Sequence, residues 1–312
     1  MTTPLPRAVL FSGQGAQKVG MGADLVANSP SAQALYERAD ERLNWPLSEY
    51  SFTGPANILT ETRVCQPALY THGLALLAAI ADHTGKPLRF EAAAGLSLGE
   101  YTAHAAAGSF TFETGLTLVA ERGRLMQEAC NLTSGTMITL LGATAAQAKE
   151  IAELCDVDVA NLNCPGQIVL SGGKKEMEGV AAAAKERGVR KVVPLNVAGA
   201  YHSRLMAGAA TELAPLLRTA QINHPNVPVV TNYTADVTEG VDAILTALEM
   251  QVCGSVRWEE SIQKLISLGY TDFIELGPGA VLGTLMKRID PNVRCLSLES
   301  YADIVKNADA LI

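Results

Sequence analysis

The sequence predicts an α/β fold, a mostly parallel sheet covered by helices, with a small α+β subdomain inserted into it. Three observations predict it. Toward both ends of the chain, short apolar runs that stop at glycine-rich turns alternate with longer segments of helical spacing. One of those turns, Gly95-Leu96-Ser97-Leu98-Gly99, reads Gly-x-Ser-x-Gly between a strand-like and a helix-like flank. The middle of the chain has a different rhythm, in the order β-α-β-β-α-β.

Residues 8–11 are an apolar run ended by Ser12-Gly13-Gln14-Gly15, a buried strand and its loop. Residues 66–83, rich in Leu and Ala, predict a helix. Residues 88–94 lead a strand into the Gly-x-Ser-x-Gly turn, and 100–107 are helix formers. Over 111–130, Leu116, Val119, Ala120 and Met126 recur at helical spacing. Strand 135–141 and helix 144–154 follow. Strands 157–162 and 167–171 flank the turn Asn163-Cys164-Pro165-Gly166. Helix 174–187, ended by Gly188, and strand 190–196 complete a ferredoxin-like order. The subdomain is expected over 131–198, and the large domain over 1–130 and 199–312. Beyond it come a helix at 203–219, with Pro215 predicting a kink or break, a strand at 227–231, and helices at 241–252 and 258–268. A strand at 271–276 enters Gly277-Pro278-Gly279, and a helix follows at 281–289.

The 312 residues carry a net charge of −8 without a Lys/Arg block, which excludes nucleic acid as an expected partner. Six cysteines form no CxxC pair, and with five scattered histidines they give no metal-ligand cluster. That usage predicts a reducing, cytoplasmic setting. Residues 8–11 are too short an apolar run for a signal peptide, and 73–81 too short to span a bilayer, so no membrane partner is expected.

A tight strand-to-helix turn would expose the Ser97 hydroxyl beside the free N–H groups of a helix start. A serine needs a base, and His202, after a strand and a flexible turn, is the candidate. His72 and His104 lie inside helices and read as packing; His83 and His224 read as packing or solvated ends. Asp156 and Asp158 fall in the inserted segment, so no orienting carboxylate stands out. A Ser–His dyad is expected, with a backbone carbonyl or a side-chain amide holding the imidazole tautomer. Gly13-Gln14-Gly15-Ala16-Gln17 lacks the Lys-Ser/Thr of a phosphate loop, and reads instead as backbone and amide brought near the serine. Arg122 and Arg124 flank one apolar stripe on opposite sides, and spacing does not say which points into a site. A buried one would need an anionic partner such as a substrate carboxylate.

Taken together, the motifs resemble the malonyl-CoA:acyl-carrier-protein transacylases and the related acyltransferase domains of fatty acid and polyketide synthases. The likeness runs through Phe11-Ser12-Gly13-Gln14-Gly15-Ala16-Gln17, Gly95 to Tyr101, Arg122-Gly123, Asn163 to Gly172, Tyr201-His202-Ser203 and Glu275-Leu276-Gly277-Pro278-Gly279. It implies a hydrolase-like large domain with a ferredoxin-like insertion. It implies malonyl transfer from malonyl-CoA to the phosphopantetheine thiol of an acyl carrier protein, through a malonyl-serine, in fatty acid biosynthesis. The alternatives are a trans-acting acyltransferase of polyketide synthesis and an acyl-thioester serine hydrolase. By the resemblance Ser97 carries the acyl group, His202 is base and then acid, and the N–H groups of Leu98 and Gln14 form the oxyanion hole. Arg122 binds the malonyl carboxylate, the carbonyl of Gln251 orients the histidine, and Gln167 and Asn163 lie near the acyl-chain entrance. Tyr201, aromatic before the histidine, fits malonyl use. Leu96 stands where the family usually has histidine, and Ser12 and Ser255 stand for usual prolines. No permanently bound cofactor and no metal are implied, and the protein is expected to be a monomer. For the acidic carrier, Lys174, Lys175, Lys185, Arg187, Arg190, Lys191 and Arg204 are the expected basic patch.

Overall fold

The structure, a computed structural model, describes residues 6–312. The chain forms two compact units, Met1–Gly123 with Gln221–Val230 and Leu265–Ile312, and Arg124–Ala220 with Thr231–Lys264. The second holds residues 131–198, for which an inserted subdomain is expected, together with the helices Ala207–Thr219 and Val241–Gln251. Among the described residues the strands are β1 (Arg7–Phe11), β2 (Ala92–Gly95), β3 (Gly135–Leu141), β4 (Asp158–Cys164), β5 (Gln167–Gly173), β6 (Lys191–Pro194), β7 (Val229–Val230), β8 (Asp272–Leu276) and β9 (Arg294–Leu298).

The first unit is built on a five-stranded sheet in the order β7-β2-β1-β8-β9, every pair parallel. Ala8, Val9, Leu10 and Phe11 are fully buried, as a central parallel strand covered on both faces requires. The register pairs Phe11 with Gly95 and Leu276. The strands therefore end level, and the loops after β1, β2 and β8 leave the same sheet edge, where open α/β sheets hold their sites. Helix Thr62–Thr84 is longer than the sequence reading of 66–83. By length and composition it could cross a membrane, but 78% of its most apolar window is buried. Its Ala75, Leu76, Ala79 and Ile80 pack with Val9, Phe11 and Ala93 of the sheet, so it is a core helix. Glu275 on β8, fully buried, accepts from the N–H groups of Leu282 and Gly283 (2.8 and 2.9 Å) and from Ser297 Oγ (2.6 Å). A carboxylate there satisfies the first turn of helix Val281–Ile289 and complements its dipole.

The second unit contains a four-stranded antiparallel sheet in the order β4-β5-β3-β6. Ile138, Leu140, Ile168 and Leu170 of the sheet pack with Ala148, Ile151, Val180 and Ala184 of its helices, the ferredoxin-like arrangement. Two expectations are corrected. The helix expected over 174–187 is two, Lys174–Met177 and Val180–Glu186, separated at Glu178-Gly179. Residues 203–219 begin with a 3₁₀ turn, Arg204–Met206, and helix Ala207–Thr219 continues through Pro215 rather than breaking. Burial of Leu213, Ala214 and Leu217 outweighs the missing N–H.

His72 and His104 are fully buried in the first unit, and burial lowers their pKa to about 4 and about 3. The unfolded chain binds these protons near pH 6.5 and the folded chain does not, so stability is complete above that pH and falls as pH drops toward the folded values. The expected loss at pH 5 is about 2 kcal/mol per histidine. Chemical denaturation at pH 7 and pH 5 checks this; stability flat between the two would refute it.

Candidate active site

Ser97 sits between β2 and helix Leu98–Ala106, in the position that caps the helix, with φ 54° and ψ −106°. A non-glycine residue at such angles is strained, and strain of this kind persists only where its surroundings enforce it. Gly95 and Gly99 enforce it by close approach. A Cβ on Gly95 would fall on the Gly99 carbonyl and 2.6 Å from the Glu100 nitrogen; one on Gly99 would meet the Phe11 carbonyl at the end of β1. The N–H groups of Gly99 and Glu100 turn back to the carbonyls of Leu96 and Ser97 (2.9 and 3.1 Å). The Leu98 N–H, first in the helix, takes no backbone acceptor among the described residues. Gln14 lies in the loop that follows β1, the strand paired with β2.

Burial decides between the two arginines of helix Phe112–Leu132. Arg122 is 1% exposed, while Arg124 lies at the surface and pairs with Glu128 (2.8 Å). Gly123 permits this: a Cβ there would lie 2.7 Å from the Thr62 carbonyl oxygen, so the two helices cross at close range beside Arg122. Arg122 donates from Nη2 to Ser97 Oγ (3.0 Å) and from Nη1 to Gln66 Oε1 (2.7 Å), and its guanidinium lies 5.4 Å from the Tyr101 ring centroid. Burial lowers the guanidinium pKa, and Tyr101 and Glu100 oppose that shift. Gln66 Nε2 donates to Gln14 Oε1 (3.5 Å), and Gln14 Nε2 to Thr62 Oγ1 (3.3 Å). One polar chain thus links the loop after β1, the start of helix Thr62–Thr84, the arginine and the serine. The sequence reading missed Gln66 and Thr62. The available signal was a glutamine just before Pro67 at the head of an apolar helix.

In the second unit His202 is 5% exposed and also has a positive φ, 54°. Its Nδ1 lies 2.8 Å from the carbonyl oxygen of Gln251, the last residue of helix Val241–Gln251 and itself fully buried. A carbonyl only accepts, so Nδ1 carries the proton and Nε2 is left as the basic nitrogen. Asp156 and Asp158 do not orient the imidazole; both bind Arg204. Tyr201 is buried beside His202, and its hydroxyl reaches the Cys130 thiol. Asn163 lies on β4 and Gln167 on β5, where Cys164 Sγ is 3.9 Å from Gln167 Oε1. Two members of the expected basic patch are already paired, Arg187 with Glu150 and Arg204 with the two aspartates. Lys174, Lys175, Lys185, Arg190 and Lys191 are exposed. Among the described residues no three His, Cys, Asp or Glu side chains are grouped to hold a metal.

The acyl transferase domain family matches residues 9–292. The chain is 42% identical over 297 residues to the malonyl CoA-acyl carrier protein transacylase of Bacillus subtilis, covering 93% of this chain and 92% of that one. It is 35% identical over 302 residues to that of Staphylococcus aureus, covering 95% and 96%. The solved malonyl CoA-acyl carrier protein transacylase of Coxiella burnetii superposes with a TM-score of 0.93 at 33% identity, over 99% of this chain and 98% of that one. A malonyl-transacylase solved in complex with its type II PKS acyl-carrier protein superposes at 0.91 and 33% identity, over 98% and 99%. The chain belongs to the acyl transferase domain family, among its malonyl CoA-acyl carrier protein transacylases, and is an acyltransferase.

Proposed function

We infer that this chain moves the malonyl group of malonyl-CoA to the phosphopantetheine thiol of an acyl carrier protein, through a malonyl ester of Ser97, in fatty acid biosynthesis. The observation that carries this is a buried guanidinium donating to the hydroxyl of a strained elbow serine. A fixed cation at the nucleophile selects an acyl group with its own carboxylate. Ser97 Oγ attacks the thioester carbonyl while Nε2 of His202 takes its proton. The N–H groups of Leu98 and Gln14 hold the oxyanion, and the thiolate of CoA departs. The carrier thiol then attacks the malonyl-serine, with His202 serving the reverse half. Arg122 grips the carboxylate in both halves, and Gln14, Gln66 and Thr62 hold the oxyanion loop and the arginine in register. Tyr201, Asn163 and Gln167 line the acyl and pantetheine path. The chain acts as a monomer and needs no resident cofactor. Its six free cysteines support a reducing, cytoplasmic setting.

Mass spectrometry of a carrier protein incubated with this chain and equal acetyl-, malonyl- and methylmalonyl-CoA tests the reading. Malonyl-carrier should dominate; equal loading of the three would overturn it. Arg122→Met should lower the malonyl-to-acetyl preference about 100-fold or more, because losing one partner of a buried charge pair costs roughly 3–5 kcal/mol. The ratio of kcat/KM values for the two thioesters measures this, and a change under threefold would refute the assignment.

A further inference from the structure

We propose that β4 is a positioning strut for His202, acting through Asp158 on one side and through the segment after Gln251 on the other. The proposal rests on the reading of His202 as the base. Asp158, the first residue of β4, accepts from the backbone N–H of Arg204 (2.9 Å), from Arg204 Nε at both oxygens (3.1 Å each) and from Nη2 (2.9 Å). Asp156 takes Nη1 (2.7 Å). Arg204 is two residues beyond His202 and opens the 3₁₀ turn Arg204–Met206. The same carboxylate therefore caps that turn and forks the guanidinium, a geometry that fixes direction as well as distance. Along β4, Val256 N–H donates to the Ala160 carbonyl (2.8 Å) and Leu162 N–H to the Val256 carbonyl (2.9 Å), while Ser255 Oγ donates to the Val159 carbonyl. Val256 lies five residues beyond Gln251. The imidazole and the carbonyl that holds its Nδ1–H are thus both tied to one strand within a few residues.

Close packing backs the histidine from behind. A Cβ on Gly199 would meet Cys130 (its Cβ at 2.8 Å), and one on Gly135 would lie 2.7 Å from the Ala200 nitrogen. Ser203 Oγ donates to the Ala200 carbonyl (2.7 Å) and accepts from the Leu205 N–H (3.2 Å). The turn cannot slide toward the β3 side, and the clamp at Asp158 stops it moving away. Arg204 is largely exposed, and an exposed ion pair adds little to stability. Its contribution lies in geometry, where an error near 1 Å at a catalytic base can cost about 100-fold in rate.

The test is the burst of CoA released from malonyl-CoA without any carrier, which keeps the charge of Arg204 from acting on a carrier. Asp158→Asn, Arg204→Gln and the double variant are compared with the parent. All three should fold. The acylation rate at saturation should fall about 10- to 30-fold with KM for malonyl-CoA within about threefold, and the double variant should be no slower than the worse single one. The Nδ1–H proton resonance of His202, assigned by its loss in His202→Ala, should broaden or vanish in the variants. Arg204→Lys, which keeps the charge without the fork, should not restore the rate. Unchanged rates and resonance would overturn the proposal, as would a rise in KM at constant rate, which would place Arg204 on the coenzyme. If His202→Ala acylates at the parent rate, the reading of His202 as base fails instead, and the resonance alone decides the clamp.

Discussion

Ser97→Ala is expected to lose malonyl transfer by a factor on the order of 10⁵ or more, and to leave no malonyl ester on the protein. The magnitude follows from the chemistry: without the hydroxyl no covalent intermediate forms, and nucleophile deletions in enzymes of this kind remove nearly all catalysis above the binding contribution. The fold should survive, because the strain at this position belongs to the backbone. Ser97 has φ 54° and ψ −106°, and alanine inherits the same angles. Glycine does not resist them. Ser97→Gly should therefore be as inactive as Ser97→Ala but more stable than it by about 1–2 kcal/mol. Intact-protein mass after mixing with malonyl-CoA reports the ester, and denaturant unfolding reports the strain. A malonyl adduct on Ser97→Ala would move the nucleophile elsewhere. Equal stability of the two variants would show that the elbow stores no strain.

Much of this was legible because the signals were local. The elbow, the strand entering it and the β-α-β-β-α-β order all follow from short-range patterns of apolar residues and glycines. The helices between Ala23 and Leu59 escaped notice: they run four to fourteen residues and are held by packing, although Ser29-Pro30 gives a cap and first-turn signal in the sequence. The strand expected over 227–231 is only the two residues of β7, and the edge strand β9, mostly half-exposed, carries no clear pattern. In the candidate site, the Gly-x-Ser-x-Gly motif marks Ser97, and a place after a strand and a flexible turn marks His202; both have a positive φ. The choice between Arg122 and Arg124 does not follow from spacing, because both flank the same stripe and only the crossing at Gly123 buries one. Gln66 was missed for a related reason: Gln14 and Arg122, which it joins, lie 52 and 56 residues away in sequence. The sequence places Arg204 in a basic patch and does not show its pairing, because its aspartates lie 46 and 48 residues away.

Gly95→Ala is expected to be the most damaging single-methyl change in the chain. Its added carbon would coincide with the Gly99 carbonyl and press the Glu100 nitrogen at 2.6 Å. Both obstacles are backbone of the helix turn that displays Ser97, so no rotamer change relieves the clash. Overpacking against flexible side chains typically costs 1–3 kcal/mol; against backbone the cost should exceed about 4 kcal/mol. For a chain of this size that lowers the Tm by roughly 8 °C or more, or leaves the variant insoluble. The control is Gly208→Ala, in the first turn of helix Ala207–Thr219, where a Cβ meets nothing within 4 Å. There the same substitution should add up to about 1 kcal/mol by trimming unfolded-state freedom. The opposite signs separate a steric requirement from a general penalty on glycine replacement. Thermal melts of the two variants decide it: Gly95→Ala within 2 °C of the parent would mean that β2 and the elbow helix do not approach as closely as a strained, displayed serine requires.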